Sequence, residues 1–294
     1  MSWVLLGAAG QLGQELARRL PEAVAWSRAD ADLACPDSWL SRLEALRPSV
    51  VINAASDNAV DRAESDPEAA FRINAFAVRR LAQQCARLGA LLVHYSSNLV
   101  FGHAPEPRTP WIESDRPAPL SAYGTSKLAG ECFVQALCPR HLLIRTAAVL
   151  GSRVGATGPW NFVEKVLDAS QRGTRLRIAA DQYVAPISTR DLAEATLRLI
   201  GAEATGLFHV NGADACTWHE YAYAVLTRAG NAEAAATLEA VTTRELGLPA
   251  PRPLYSVLSN QKYVRLGFSE PAGWRASLDA YWRERRGVDA ARET

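Results

Sequence analysis

A chain of 294 residues, 48% hydrophobic and 21% charged, can bury a large core and is expected to form one large domain or two modest ones. Its formal net charge of +1, from 32 basic and 31 acidic residues, offers no field to a nucleic acid or an anionic membrane, and both are excluded as partners. Five cysteines (Cys35, Cys85, Cys132, Cys138, Cys216) are odd in number and without a C-x-x-C pair, which predicts reduced thiols in a cytoplasmic setting and no metal framework.

The amino terminus is apolar for only a few residues and lacks a basic leader, which argues against a signal peptide or a membrane span. Trp3 to Leu6 form a short apolar run closed by Gly7-Ala8-Ala9-Gly10-Gln11-Leu12-Gly13, after which Leu12, Leu16, Ala17 and Leu20 recur at helical spacing. Strand, glycine turn and helix in that order suit a dinucleotide: the turn lets a pyrophosphate approach, and the free N–H groups of the helix start face it. Gly7, Gly10, Gln11, Leu12 and Gly13 are therefore candidate cofactor contacts.

The second strand is expected at 23–26. Where a carboxylate would hold the ribose 2'-hydroxyl, the chain has Ser27-Arg28, which predicts NADPH with Arg28 on the 2'-phosphate, NADH being the other option. Asp32-Leu33 are expected beside the adenine. A helix at 38–46 leads to a buried strand at 48–55, whose small residues Ala54 and Ala55, with Ser56 after them, leave room for a cofactor. A long helix at 67–88 carries Asn74, and the strand at 91–95 ends in Ser96-Ser97-Asn98. Strands alternating with helices predict an α/β fold, a Rossmann-type doubly wound parallel sheet with ligands at the carboxyl ends of its strands.

Residues 102–119 read as a proline-rich loop carrying Trp111 and Glu113, able to wall a pocket. Beyond it Tyr123 and Lys127 stand four apart, so on a helix they share one face. With three lysines and eight tyrosines in the chain, the chance expectation for such a pair is about 0.08. A phenol titrates near 10, and a cation beside it is expected to lower that value and make it a proton donor. The ordinary alternative is a solvated Tyr and Lys on an exposed face.

A strand at 142–146 follows, then an insert with Trp160-Asn161-Phe162, a helix to about Arg172 and the run Asp181 to Pro186. A helix at 189–200, a strand at 206–210 and a helix at 217–228 come next; residues 231–237 read as a solvated helix or loop, and 285–294 as a fraying tail. Asn161 and Arg252, the latter beside Pro253 and Ser256, are candidate substrate contacts, as are Ser97, Asn98 and Ala148. Residues 1–150 are expected to form the dinucleotide-binding domain, rejoined by about 186–205, and 151–294 mainly a smaller α+β substrate-binding domain. His94, His209 and His219 show no metal-ligand spacing and read as structural imidazoles.

The glycine turn, Asn74, Ser97 and the Tyr123/Lys127 pair resemble the extended short-chain dehydrogenase/reductase superfamily. The strings Gly10-Gln11-Leu12-Gly13, Asn53-Ala54-Ala55, Val60-Asp61-Arg62-Ala63-Glu64, His94-Tyr95-Ser96, Tyr123 through Glu131, Asp181-Gln182 and Thr217-Trp218-His219 are similar to those of dTDP-4-dehydrorhamnose reductases. The resemblance implies that NADPH reduces the C4 ketone of dTDP-4-dehydro-6-deoxy-L-mannose to dTDP-L-rhamnose. It also implies Ser97 on the ketone oxygen, Tyr123 as proton donor, Lys127 on the nicotinamide ribose, Asn74 supporting that lysine through a water, and a homodimer as one option for the assembly.

The chain departs from the family pattern at Asn98 and Leu99, where aspartate and tyrosine are usual, at Ala148 in place of tryptophan, and at Val184 in place of glycine; Leu6 replaces a threonine. The changes at Asn98, Leu99, Ala148 and Val184 fall on the sugar side and imply either a related ketosugar or faded catalysis, whereas Leu6 is a smaller change of no consequence for the sugar. A sugar-nucleotide epimerase and a non-catalytic NADP-binding regulatory subunit are the competing readings. A 4,6-dehydratase is disfavoured, because Asn98-Leu99 cannot exchange protons.

Overall fold

The computed structural model describes residues 2–103, 106, 108–151 and 161–290, so Trp160 lies outside the described residues. Six parallel strands form the central sheet: β1 (Trp3–Leu6), β2 (Val24–Trp26), β3 (Val50–Asn53), β4 (Leu91–Ser97), β5 (His141–Thr146) and a last strand, Gly206–His209. Their order across the sheet is Gly206–His209, β5, β4, β3, β1, β2. The strands are apolar runs because both faces are covered. Val4, Leu6, Val51, Leu92 and Leu143 point into one layer with Trp39, Leu43, Leu81 and Val134. Leu5, Ile52, Val93, Leu142 and Ile144 point into the other with Leu16, Leu192 and Leu199. Alternate residues on a strand face opposite sides, and the two cores follow from that period of two.

β1 has β2 on one side and β3 on the other, with the later strands continuing outward beyond β3. The strand order therefore reverses between β1 and β3, the place where an open α/β sheet leaves a crevice. The helix Gln11–Arg19 starts in that crevice and packs along its length against Thr189–Gly201, which joins the same layer.

The expected helix at 67–88 is an α-helix (Pro67–Phe71), a π-helical segment (Arg72–Ala77) and an α-helix (Val78–Leu88) in unbroken succession. Asn74 lies in the π segment, whose wider turn re-aims a side chain at little cost in backbone bonding. The helix Ala122–Leu137 packs against that segment backbone to backbone: a Cβ on Gly130 would lie 2.2 Å from the Asn74 carbonyl oxygen.

A separate apolar core joins Val163, Val166 and Leu167 of the helix Phe162–Gln171, Tyr221 and Val225 of Trp218–Arg228, and Trp274, Leu278 and Trp282 of Trp274–Ala290. The stretch read as helix or loop at 231–237 contains a helix, Ala232–Ala236, capped by Asn231. Of the tail expected to fray from Arg285, the part to Ala290 belongs to the last helix, with Tyr281 and Arg285 both bonded to Glu164. Residues 291–294 lie outside the described part. Among the described residues no helix is long and apolar enough to cross a membrane.

Candidate active site

A cavity of about 1250 Å³ opens at the crevice between β1 and β3. The glycine turn forms its floor. Gly7 has φ +78°, open to glycine alone at low cost, and a Cβ there would lie 2.6 Å from the Ala55 amide nitrogen. A Cβ on Gly13 would lie 2.0 Å from the Gly7 carbonyl oxygen, so Gly13 serves the close packing of turn and helix and does not line the cavity. Gly10 caps the helix Gln11–Arg19 without any side-chain bond and no acid occupies the first turn, which leaves the helix start able to take an anion.

At one end of the cavity stand Arg28, Asp32 and Leu33. The Arg28 side chain is 85% exposed and touches Asp32 only at 3.4 Å, so its guanidinium is available to a ligand phosphate. Asp32 turns its other oxygen to the Ala34 amide, and buried Leu33 offers an apolar wall. Ala54, Ala55 and Ser56 continue the lining past the end of β3. Small residues and glycines leave the space, and a basic group and an open helix start supply the charge, that a phosphorylated dinucleotide requires.

The helix Ala122–Leu137 is capped by Ser121, whose hydroxyl accepts the Gly124 amide at 3.1 Å. It presents Tyr123 and Lys127 inward, both lining the cavity and both buried. The Tyr123 hydroxyl donates to Asn58 Oδ1 at 3.2 Å. Burial pushes the phenol up to about 12; the neighbouring Ser97 hydroxyl pulls it down and the Asp57 carboxylate pushes it further up. The expected lowering by a cation is thereby corrected: no cation is among the causes, and desolvation dominates because a phenolate loses more in an apolar pocket than the phenol does. Lys127 is pushed down to about 8 by burial, with the Glu131 carboxylate resisting. Its ammonium donates to the Tyr95 carbonyl at 2.7 Å and to the Ser56 hydroxyl at 3.4 Å.

Asn74 is buried, lies outside the cavity lining and uses its whole amide. Its oxygen accepts from Ser56 Oγ at 3.0 Å and from the Asp57 amide at 2.9 Å, while its nitrogen donates to Asp57 O and Ser126 Oγ. The protein path from Asn74 to Lys127 thus runs through the Ser56 hydroxyl. Ser97, at the end of β4, accepts the Leu99 amide at 3.1 Å and lies beside the phenol.

Of the candidate sugar contacts, Asn98, Ala148 and Arg252 line the cavity. Asn98 spends its amide on Ser256, donating to the hydroxyl at 2.8 Å and the carbonyl at 3.2 Å. Arg252 donates to Asp61 at 2.9 Å and to the Ala250 carbonyl. Asn161 does not line the cavity: it caps the helix Phe162–Gln171 and donates to Gln11 Oε1 and the Gly151 carbonyl, which occupies all its polar atoms. None of the described residues of the 102–119 loop lines the cavity either, because Trp111 stacks on Phe101 at 4.5 Å instead. Gln182, Val184 and Trp218 do line it. Gln182 enters the sequence reading only within a matching string, and Asn58 not at all; its one signal was its place just past the small residues that follow β3.

The comparisons with known proteins agree with this geometry. A dTDP-4-dehydrorhamnose reductase of Salmonella typhimurium is 36% identical over 280 residues, 90% of this chain and 91% of its own. A Streptomyces antibioticus protein named as a probable dTDP-4,6-dihydroxy-2-methyloxan-3-one 4-ketoreductase is 37% identical over 290 residues, 95% of this chain and 93% of its own. The crystal structure of dTDP-4-dehydrorhamnose reductase from Bacillus anthracis in complex with NADP is similar with a TM-score of 0.84 at 29% identity, covering 96% of this chain and 99% of that one. The family model described as "RmlD substrate binding domain" matches residues 1–286, and the chain belongs to that family.

Proposed function

We propose that this protein is an NADPH-dependent reductase of a 4-keto-6-deoxy sugar nucleotide, dTDP-4-dehydrorhamnose or a close variant of it. The observation that carries the reading is the buried phenol of Tyr123, beside the Ser97 hydroxyl and with the buried Lys127 one turn along, all opening on the same crevice as the glycine turn. NADPH, when bound, supplies a hydride to the C4 carbon. The glycine turn and the start of the helix Gln11–Arg19 hold the pyrophosphate, Arg28 the 2'-phosphate, and Asp32 and Leu33 flank the adenine. Lys127 keeps its ammonium turned to the ribose side, steadied by the Tyr95 carbonyl and Ser56.

Ser97 donates to the ketone oxygen. As negative charge gathers on that oxygen, Tyr123 passes its proton to it, and the phenolate recovers a proton from water. A phenol held near 12 is protonated at neutral pH, the form that a reduction needs, and remains a stronger acid than the alcohol formed when it quenches the alkoxide. Arg62, Arg72 and Arg252 also line the cavity, and Arg252, bonded to Asp61, suits the diphosphate of a nucleotide sugar. Residues 1–150 with 186–205 carry the cofactor in this reading, and most of 151–294 shapes the sugar pocket. A cytoplasmic location and a homodimer belong to the same reading. Relatives of 36% and 37% identity named for different sugars leave the choice of sugar to Asn98, Leu99, Ala148 and Val184.

The test is NADPH oxidation followed at 340 nm against a panel of 4-ketosugar nucleotides. The parent is expected to oxidise NADPH with at least one of them, and Tyr123→Phe to lose about a hundredfold or more in kcat. A Tyr123→Phe protein as active as the parent would end the proposed role of the phenol, and binding of NADPH without turnover of any ketosugar would favour a regulatory subunit.

A further inference from the structure

The phenol and the Ser97 hydroxyl must meet on one oxygen, yet they come from two elements, the helix Ala122–Leu137 and β4. Something has to set the helix against the sheet. Tyr123, Lys127 and Glu131 stand on successive turns of one buried face, and Glu131 is 1% exposed. Its carboxylate takes a two-pronged bond from Arg145 on β5, Nε to Oε1 at 2.9 Å and Nη2 to Oε2 at 2.7 Å. Arg145 is in register with Ser96 of β4, and the next pair is Ser97 with Thr146. The fork therefore ties the third turn of the catalytic face to the strand position beside Ser97.

The arginine is itself held from behind. Its Nη1 lies 3.4 Å from His209 Nε2, and its guanidinium lies 5.0 Å over the Phe101 ring. His209 Nδ1 lies 3.0 Å from the Trp111 carbonyl. That carbonyl can only accept, so Nδ1 carries the proton and Nε2 is free to accept from Arg145. Burial and the Arg145 charge push His209 down to about 3, which keeps this tautomer neutral. Donor and acceptor alternate without conflict from Trp111 to Glu131.

A buried ion pair is a poor source of net stability, since apolar residues of equal volume do as well or better. What a planar fork supplies is direction: two parallel bonds fix both the reach and the roll of the helix. We infer that Glu131 and Arg145 are positioning residues, setting the Tyr123/Lys127 face of the helix at the distance from Ser97 that proton transfer to the ketone requires. The inference rests on the reductase reading above.

Two variants test it. Glu131→Asp keeps the charge and shortens the reach; Glu131→Met with Arg145→Met removes both charges together, so neither is left buried alone, and serves if the first does not fold. The readouts are thermal unfolding, NADPH affinity by fluorescence, kcat and KM, and amide hydrogen exchange without substrate. The expected result is a folded protein whose NADPH Kd and sugar KM stay within about threefold of the parent while kcat falls at least tenfold. Exchange should rise about tenfold across Ala122–Leu137 and stay unchanged in Thr189–Gly201. A folded variant with kcat within twofold of the parent, or with unchanged exchange in Ala122–Leu137, overturns the inference. A parent that oxidises no NADPH would sink the reductase reading instead, and the exchange arm would still decide whether the pair positions the helix.

Discussion

Lys127 is a charged residue whose surroundings carry a cost. Burial lowers its value from 10.5 to about 8, so near neutral pH the native state holds a charge that the unfolded chain carries more comfortably. The sign follows from proton counting. Between about 8 and 10.5 the unfolded chain keeps a proton that the native state has released, so this lysine makes stability rise with pH there; below 8 both states are protonated and the penalty stands in full, on the order of 3 kcal/mol. Replacing Lys127 with Met removes the penalty together with the bond to the Tyr95 carbonyl. Relative to the parent, Lys127→Met should be favoured most below pH 8 and lose about 3 kcal/mol of that advantage by pH 10.5, read by urea melts at the two ends of the window. The same titration predicts that kcat/KM falls as pH rises through about 8, because the ammonium is then lost. At the other end of the cavity, exposed Arg28 can be tested without touching the fold: Arg28→Ala should raise KM for NADPH about tenfold and leave that for NADH unchanged. Equal effects on both cofactors would remove the 2'-phosphate assignment.

Among the elements, the π segment and the helix that carries Tyr123 act as one unit because glycine lets them touch. Gly130 faces the Asn74 carbonyl, and Gly124 faces the Leu99 carbonyl, where a Cβ would lie 2.3 Å from the oxygen and has no room. A methyl group at Gly130 must push the helix off the π segment, and with it Asn74, Ser56 and Lys127. Gly130→Ala should therefore cost about 1–3 kcal/mol in stability and lower kcat as well, whereas a methyl at Gly201, with open space around it, should leave kcat unchanged. The strands and helices of this half were legible because each carries its own period: apolar runs for strands covered on both faces, and i, i+4 spacing for the helices. The π segment was not, since Arg72 to Ala77 read as ordinary helix and the extra residue per turn is chosen by packing against Gly130. The two-residue strands Tyr183–Val184 and Cys216–Thr217 were also invisible, being too short to show any alternation.

At the scale of the whole molecule, the cavity exists because the C-terminal part is laid across the sheet's crevice and tied there. Asn98 at the end of β4 holds Ser256, Ser256 in turn donates to the Tyr183 carbonyl, and Arg252 holds Asp61 beyond β3. Arg252→Ala should raise KM for the nucleotide sugar about tenfold and leave that for NADPH within twofold, since Arg28 and the glycine turn are the groups assigned to the cofactor. A rise in both would mean that Arg252 acts only by closing the crevice. Asn98 shows why such roles escape a linear reading. Its residue type and its place after Ser97 mark it as a group near the chemistry, but whether its amide faces a sugar or the protein depends on Ser256, 158 positions away. Asn161 misleads in the same way: a polar residue in an irregular stretch turns out to cap a helix and brace Gln11.

What the sequence determined by itself is therefore everything that depends on neighbours in the chain: the glycine turn between strand and helix, the alternation that builds the sheet, and the shared helical face of Tyr123 and Lys127. Tertiary structure alone decided the charge states and the partners. Tyr123 is held up near 12 and Lys127 down near 8 because other segments exclude water from both. The fork between Glu131 and Arg145, though only fourteen positions apart, closes because the sheet register brings β5 under the helix. Local spacing fixes where a side chain points, but desolvation and hydrogen-bond partners are properties of what the rest of the chain packs around it.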